Sequence, residues 1–268
     1  MIPQPGQSKV EEPPKTTRPR LPATADSLLA IAVLLAIWKL GALYVDREII
    51  LPAPERVFQV FWGLLQSARF LTALAATAAR GLLAFTIALT LGSLTGFLAG
   101  LSPRLQRWLQ PSLQVIKATP VLAIVLLAMI WFPSTLVPVF SAVIMSYPIV
   151  ATEISAGVRS VDRRLVEMAK LFRVAWLHTT LHIRIPAAAP HILAAARNAL
   201  GLSWKVVVAG EVLSQPLHAL GTGMQNARIM LETSEVFAWA AAGILLCALS
   251  DGIFDLLALA FRRKKVTG

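Results

Sequence analysis

Apolar residues in this chain come in long runs separated by short polar turns, and a single charged stretch interrupts the series. Runs at 27–45, 71–101, 113–132, 136–158, 191–213 and 237–261 are each of the length a helix needs to cross a bilayer, about 20 residues. The pattern predicts an all-α, polytopic membrane protein with six spans. Within the second run Gly92, Gly96 and Gly100 recur every fourth residue, a spacing that lets helix backbones approach closely inside a membrane. The third run holds Lys117 near its start and Pro120 inside it, so a local kink is expected there. The segment after the first run carries an amphipathic piece at 55–66, expected to lie along the outer interface. The stretch 214–236 contains a predicted turn at Leu220, Gly221, Thr222 and Gly223.

The interruption runs from Val161 to Pro190. Val161, Leu165, Met168, Phe172 and Ala175 fall on one face of a helix, while Asp162, Arg163, Arg164, Glu167, Lys170 and Arg173 take the other. Arg163 with Glu167 and Glu167 with Lys170 stand at pairing distances along such a helix. A second helical run over 175–184 is expected to stop near Pro186, which lacks an N–H and biases Ile185 away from helical dihedrals. The segment therefore reads as helix, bend, helix.

Composition agrees with a membrane chain: hydrophobic residues make up 56% and charged residues 15%, against about 25% charged in soluble domains. The formal charge of +11 then has an origin in cationic loops held on the cytoplasmic side, and a nucleic-acid partner is not needed to explain it. Six spans place both termini on one side, together with the 102–107 turn and the charged segment. Sixteen of the 25 Lys and Arg fall there, so both termini and the segment are expected inside the cell, in a bacterial-type inner membrane. The Pro-rich residues 1–25 are expected to be a disordered cytoplasmic tail. The first run is too long for a signal-peptide core and reads as a retained span. Cys247 is the only cysteine, which leaves no intrachain disulfide.

No phosphate-cradling loop, dinucleotide fingerprint or nucleophile elbow is present. His178 and His182 have a zinc-compatible spacing but no third ligand nearby in sequence; a metal site is not expected. Among charges inside spans, Arg197 and Asp255 stand at similar depth and are expected to pair, because intramembrane charges are usually matched. Lys205 and Glu211, with Trp204 beside them, read in two ways. They line a translocation path in which Lys205 attracts an anion, or they are structural, with Lys205 and Glu211 paired, a partner such as Asp251, or a snorkelling lysine stem.

The charged segment resembles the EAA loop of permease subunits of binding-protein-dependent ABC importers. Glu167, Met168 and Ala169 stand for E-A-A, Arg173 falls at the motif's glycine, and Ile183, Arg184, Ile185 and Pro186 stand for I-x-L-P. The likeness extends to LPAP at 51–54, IWF at 130–132, RSVDRRLVEMAK at 159–170, LGLSWKVVVAGEVL at 200–213 and LGTG at 220–223, and is greatest for the nitrate, sulfonate, taurine and bicarbonate branch. What the resemblance implies is a type I importer transmembrane fold over 71–261 with a coupling loop at 159–190. The first helix and an outer interfacial segment precede it at 26–70, and a basic tail follows at 262–268. It also implies ABC ATPase subunits carrying ATP and Mg, with no cofactor in this chain, an extracytoplasmic binding protein, and a second permease copy, a homodimer in preference to a heterodimer. Val161, Leu165, Glu167, Met168, Ala169, Phe172, Arg173, Ile185 and Pro186 become the ATPase-coupling candidates. In the family the glycine allows a tight bend, so Arg173 is expected to give a gentler bend or a contact of its own. A stand-alone secondary transporter or channel is the rival reading; it predicts inverted repeats and midplane acidic residues, which the two halves do not display.

Overall fold

The computed structural model describes the backbone over residues 23–266, and every regular element in that range is helical. The expected tail therefore lies outside the described residues except at 23–25, which open the first helix. In chain order the helices are α1 (Ala23–Val45), α2 (Pro54–Leu65), α3 (Ala68–Leu101), α4 (Pro103–Ala118), α5 (Val121–Trp131), α6 (Val137–Arg159), α7 (Arg163–Leu171), α8 (Trp176–Thr179), α9 (Ile185–Ser214), α10 (Leu220–Ile229) and α11 (Thr233–Val266). A π-helical turn, Thr180–Arg184, joins α8 to α9. The last helix continues past 261 through 262–266, where a tail was expected.

Helix direction follows from which residues touch. A side-chain carbon added at Gly92 would meet Val150, at Gly96 Ala151, and at Gly100 Val158. Numbers rise together, so α3 and α6 run parallel. Two parallel helices in one bundle require the chain between them to return across it, and α4 with α5 is that return. The two are bent by 96° at Thr119 and Pro120, a break far sharper than the expected kink. Pro120 precedes α5 with extended dihedrals, and with no N–H it donates nothing to the helix that ends at Ala118. α4 slants inward along α6, with Gln106 beside Arg159 and Lys117 beside Thr152, and α5 continues the return.

Contacts with α9 run the other way: Gly157 meets His191, Ser146 Oγ lies 3.0 Å from Ser203 Oγ, and Gly210 meets Pro138. α11 is antiparallel to α9 in turn, with Val208 beside Gly243 and Trp204 Nε1 donating to Ser250 Oγ at 2.7 Å. α1 closes the set through Trp38, which stacks on Phe237 with centroids 5.5 Å apart. Among the described residues this makes five long spans and a sixth crossing from the bent pair α4 and α5, and the start of α1, the turn at 101–103, the segment 160–184 and the end of α11 share one end of the bundle. At the opposite end α2 packs its Phe61, Leu64 and Leu65 against Phe70 and Trp239, and is tied to α1 by Lys39 and Glu55 at 2.9 Å. The hydrogen bond from Lys39 holds the Glu55 carboxyl below its ordinary range.

Two further expectations are overturned. Leu220 to Gly223 do not form a turn; they open α10. The glycines serve close packing: a side-chain carbon at Gly221 would sit 2.5 Å from Val212 N, and one at Gly223 would sit 2.5 Å from the Trp239 ring. Nor does the second helical run stop near Pro186. The helix continues from Trp176 through Ser214, 39 residues, because the π-helical turn directly before Pro186 widens the coil where the ring would collide with the carbonyl four residues back.

The core is cut to the shape of small residues on α3 and α9. Ala84, Ala88, Ala99, Ala195 and Ala199 are buried together with Val150, Ile154 and Val207 of the facing helices. In a bilayer such proximity replaces the hydrophobic drive that water supplies to soluble cores. Gly96→Val forces a branched side chain into the Ala151 carbonyl, 2.5 Å from the added carbon. It should cost about 1–3 kcal/mol. Gly201→Ala, with nothing within 4 Å, should leave the thermal midpoint of the purified protein in place; equal midpoints for the two variants would contradict this packing.

Candidate functional site

Two groups of residues stand out, one at the end of the bundle and one inside it. The first is the charged segment. Asp162 caps α7 by accepting the Arg164 N–H at 2.9 Å, which satisfies one of the orphan donors of the first turn. At the other end of α7 the Arg173 N–H donates to the Lys170 carbonyl at 3.0 Å and the Val174 N–H to the Ala169 carbonyl at 2.9 Å. This pair of bonds closes a helix with a left-handed residue, and Arg173 supplies it at φ 53°. The bend is therefore as tight as the motif's glycine would make it, contrary to the gentler one expected. Arg173 adopts the glycine conformation at a cost of about 1–2 kcal/mol for its β-carbon.

Beyond that bend, α8 and the π-helical turn fold back beside α7. An apolar hollow of about 330 Å³ lies between them, lined by Met168, Phe172, Val174, His178 and Ile183 among others. Val161 and Ala169 are buried, whereas Leu165 and Met168 are half exposed. Phe172 and Leu171 stand out at 76% and 83% exposed, and Trp176 and Leu177 follow at 62% and 58%. Glu167 is exposed and Ile185 and Pro186 open α9 beside the segment. Leu171 falls off the face drawn through Val161, Leu165, Met168, Phe172 and Ala175, and Trp176 and Leu177 lie past its last residue, so none of the three was singled out from the sequence. His178 and His182 stack with centroids 5.4 Å apart, and His182 Nδ1 lies 3.1 Å from the His178 carbonyl. Among the described residues no group of three metal-binding side chains is found.

The second group is a buried ionic knot near the opposite end. Glu211 of α9 has no exposed surface. Its carboxylate accepts from Arg80 Nη1 at 2.7 Å, from Thr77 Oγ1 at 2.9 Å and from the Gly221 N–H at 3.2 Å. The Leu220 N–H donates to Thr77 Oγ1 at 3.0 Å, and Arg80 Nη1 also donates to the His218 carbonyl at 2.8 Å. The carboxylate thus sits at the N-terminus of α10, where the backbone dipole favours negative charge. Lys205 is exposed and Glu211 is bonded to Arg80 instead. Trp204 is buried over Gly81, whose added carbon would fall 2.1 Å from the indole. Arg197 reaches Asp255 at 2.6 Å and also Asp251 at 3.1 Å, so the aspartate considered for Lys205 is held by Arg197. The sequence signal for the knot was Arg80, the one charge in the second run, which needed a partner at its own depth.

The described residues thus form a helical bundle with glycine-tight parallel packing and a charged loop bearing unburied aromatics at one end. The chain belongs to the family of binding-protein-dependent transport system inner membrane components, whose model matches residues 88–264. SsuC of Bacillus subtilis, assigned by its name to aliphatic sulfonates transport as a permease protein, is 31% identical over 88% of this chain and 85% of its own. The taurine transport system permease protein TauC of Escherichia coli is 29% identical over 89% of this chain and 87% of its own. A crystal structure of an amino acid ABC transporter with histidines superposes with a TM-score of 0.60, at 22% identity, covering 70% of this chain and 92% of that one; this likeness is one of fold. The protein is thus a multi-pass permease of the ABC importer class.

Two outcomes follow from these geometries. Arg80→Met or Glu211→Leu alone leaves a buried charge without its partner and should cost about 3–5 kcal/mol, while the double variant should lose less than either single one in thermal unfolding. Arg173→Gly relieves the left-handed β-carbon and should raise the protection of residues 163–174 in hydrogen exchange, with Arg173→Val lowering it.

Proposed function

We propose that this chain forms the path for a small solute bearing an oxyanion group, a sulfonate, taurine, nitrate or bicarbonate, in an importer whose ATP and Mg are held by separate ATPase subunits. The carrying observation is the set of exposed apolar side chains Leu171, Phe172, Trp176 and Leu177 on an otherwise charged loop. Large apolar groups rimmed by charge mark a protein contact. The loop docks in a groove of the ATPase, with Val161, Leu165, Glu167, Met168, Ala169, Phe172, Arg173, Ile185 and Pro186 transmitting its closure. Positive-inside asymmetry supports placing the loop and both termini in the cytoplasm. A binding protein then meets the α2 and α10 end.

A second copy of the same chain completes the path in this reading. The exposed stripe of α9, which carries Ala194, Asn198, Lys205 and Ala209, supports it, because polar groups on a lipid-facing helix are costly unless they face water or protein. Lys205 is the anion's electrostatic attractor there. Trp204 and Glu211 shape that surface from behind, the first by packing and the second by fixing α9 to α10. Sulfonate and taurine transport by similar chains supports the solute class.

Phe172→Asp combined with Trp176→Asp alters only exposed positions, so folding should be kept. Loss of two interface anchors should weaken ATPase co-purification at least thirtyfold, about 2 kcal/mol, and abolish uptake. Glu167→Lys should uncouple hydrolysis from uptake, and Lys205→Met should raise the KM for an anionic solute with ATPase binding unchanged. Normal uptake and normal ATPase binding in the Phe172 and Trp176 variant would sink the docking assignment.

A further inference from the structure

A cavity of about 230 Å³ opens between α3, α4 and α6 at the end of the bundle that carries the charged segment. Ala99, Ala151 and Ser155 line it from the buried side, at 4%, 2% and 4% exposed. Lys117 and Arg159 stand at its exposed rim. Both make neutral contacts: Lys117 Nζ donates to Thr152 Oγ1 at 2.9 Å, and Arg159 donates to Gln106 Oε1. Among the described residues no aspartate or glutamate lines the cavity. Ser155 Oγ adds a group that is buried and has no hydrogen-bond partner.

Two cations, carboxamides from α4 and an unpartnered hydroxyl therefore converge on one hollow. Such an arrangement at a membrane protein's surface is poorly satisfied until an anion enters it. The setting decides which kind. α4 starts at the bundle end, and its stretch 102–120 carries Arg104, Arg107 and Lys117 with no acidic residue, while Trp108 is 84% exposed. A basic helix with a protruding tryptophan is suited to the headgroup layer. From the cavity, α3 presents the exposed Leu91, Leu94 and Leu98, an apolar flank on which acyl chains can lie. Basic pockets between spans at that depth bind phospholipid headgroups.

We propose that this cavity binds a phosphate oxyanion, namely the headgroup phosphate of an anionic phospholipid. Lys117 and Arg159 neutralise the charge and the Ser155 hydroxyl donates to a phosphate oxygen. A headgroup seated there clamps α4 to α3 and α6, so lipid stabilises the 96° break on which the return crossing depends. The inference does not rest on the docking or solute assignments.

The test uses the purified full chain in detergent, with its thermal midpoint measured alone, with phosphatidylglycerol, with phosphatidylcholine, and with inorganic phosphate. Phosphatidylglycerol should raise the midpoint and phosphatidylcholine should not. Lys117→Gln with Arg159→Gln should abolish the rise, Ser155→Ala should reduce it, and Arg104→Gln with Arg107→Gln, equal in charge but on the outer face, should keep it. Should the first double variant fold poorly, Ser155→Ala still decides the matter, backed by the number of retained lipids in native mass spectrometry. A rise kept by both Lys117→Gln with Arg159→Gln and Ser155→Ala, or lost equally in the Arg104 and Arg107 variant, overturns the site. Inorganic phosphate reproducing the whole rise would leave an oxyanion site and overturn its lipid occupant.

Discussion

The closeness of α3 to α6 is the constraint on which the rest of the bundle depends. Gly92, Gly96 and Gly100 let two backbones meet where lipid gives no hydrophobic reward for meeting, and the contact fixes their parallel direction. Parallel direction in turn obliges the intervening chain to recross, which makes the broken pair α4 and α5 a crossing instead of a surface excursion. With α6 held, α9 packs against it through Gly157, Gly210 and the Ser146 and Ser203 pair. The charged segment between them is then delivered to a defined place at the end of the bundle.

The ionic knot at Glu211 does for the opposite end what the glycines do for the middle. It draws α3, α9 and α10 to one carboxylate with every partner supplied by the protein. Removing solvent from a carboxylate and a guanidinium is costly, so the gain lies in position more than in net stability. Gly221 belongs to the same device, since its amide and its missing side chain both bring α10 against Glu211.

Much of this was legible in the sequence. Run lengths gave the crossings, the fourfold glycine spacing gave the tight contact, and the charged segment stood out between apolar neighbours. The resemblance to EAA loops agrees with family membership. What escaped are features that lack a local signature. Asp46, Arg173, Gln215 and Leu231 are left-handed residues that follow helices, and none is glycine, so the usual stop signal is missing at each. Pro186 carried the opposite fault: a stop signal overruled by a wider turn. The Arg80 and Glu211 pair joins residues 131 apart, beyond reach of any periodicity, and the sequence reading left Arg80 without a partner.

The uninterrupted helix from Trp176 to Ser214 has a mechanical meaning. At 1.5 Å per residue its 39 residues amount to about 58 Å of rod, reaching from the exposed aromatics to the ionic knot. The buried serine contact at Ser203 and the backbone of Ala199 form a natural fulcrum with Ser146. Measured from Ala199, the arm toward Trp176 is about 35 Å and the arm toward Ser214 about 22 Å. Were the loop pushed sideways about that contact, a rigid beam of these proportions would reduce the displacement at the far side by roughly one and a half and multiply the force by the same ratio. The π-helical turn lies on the longer arm, between the exposed aromatics and the packed centre.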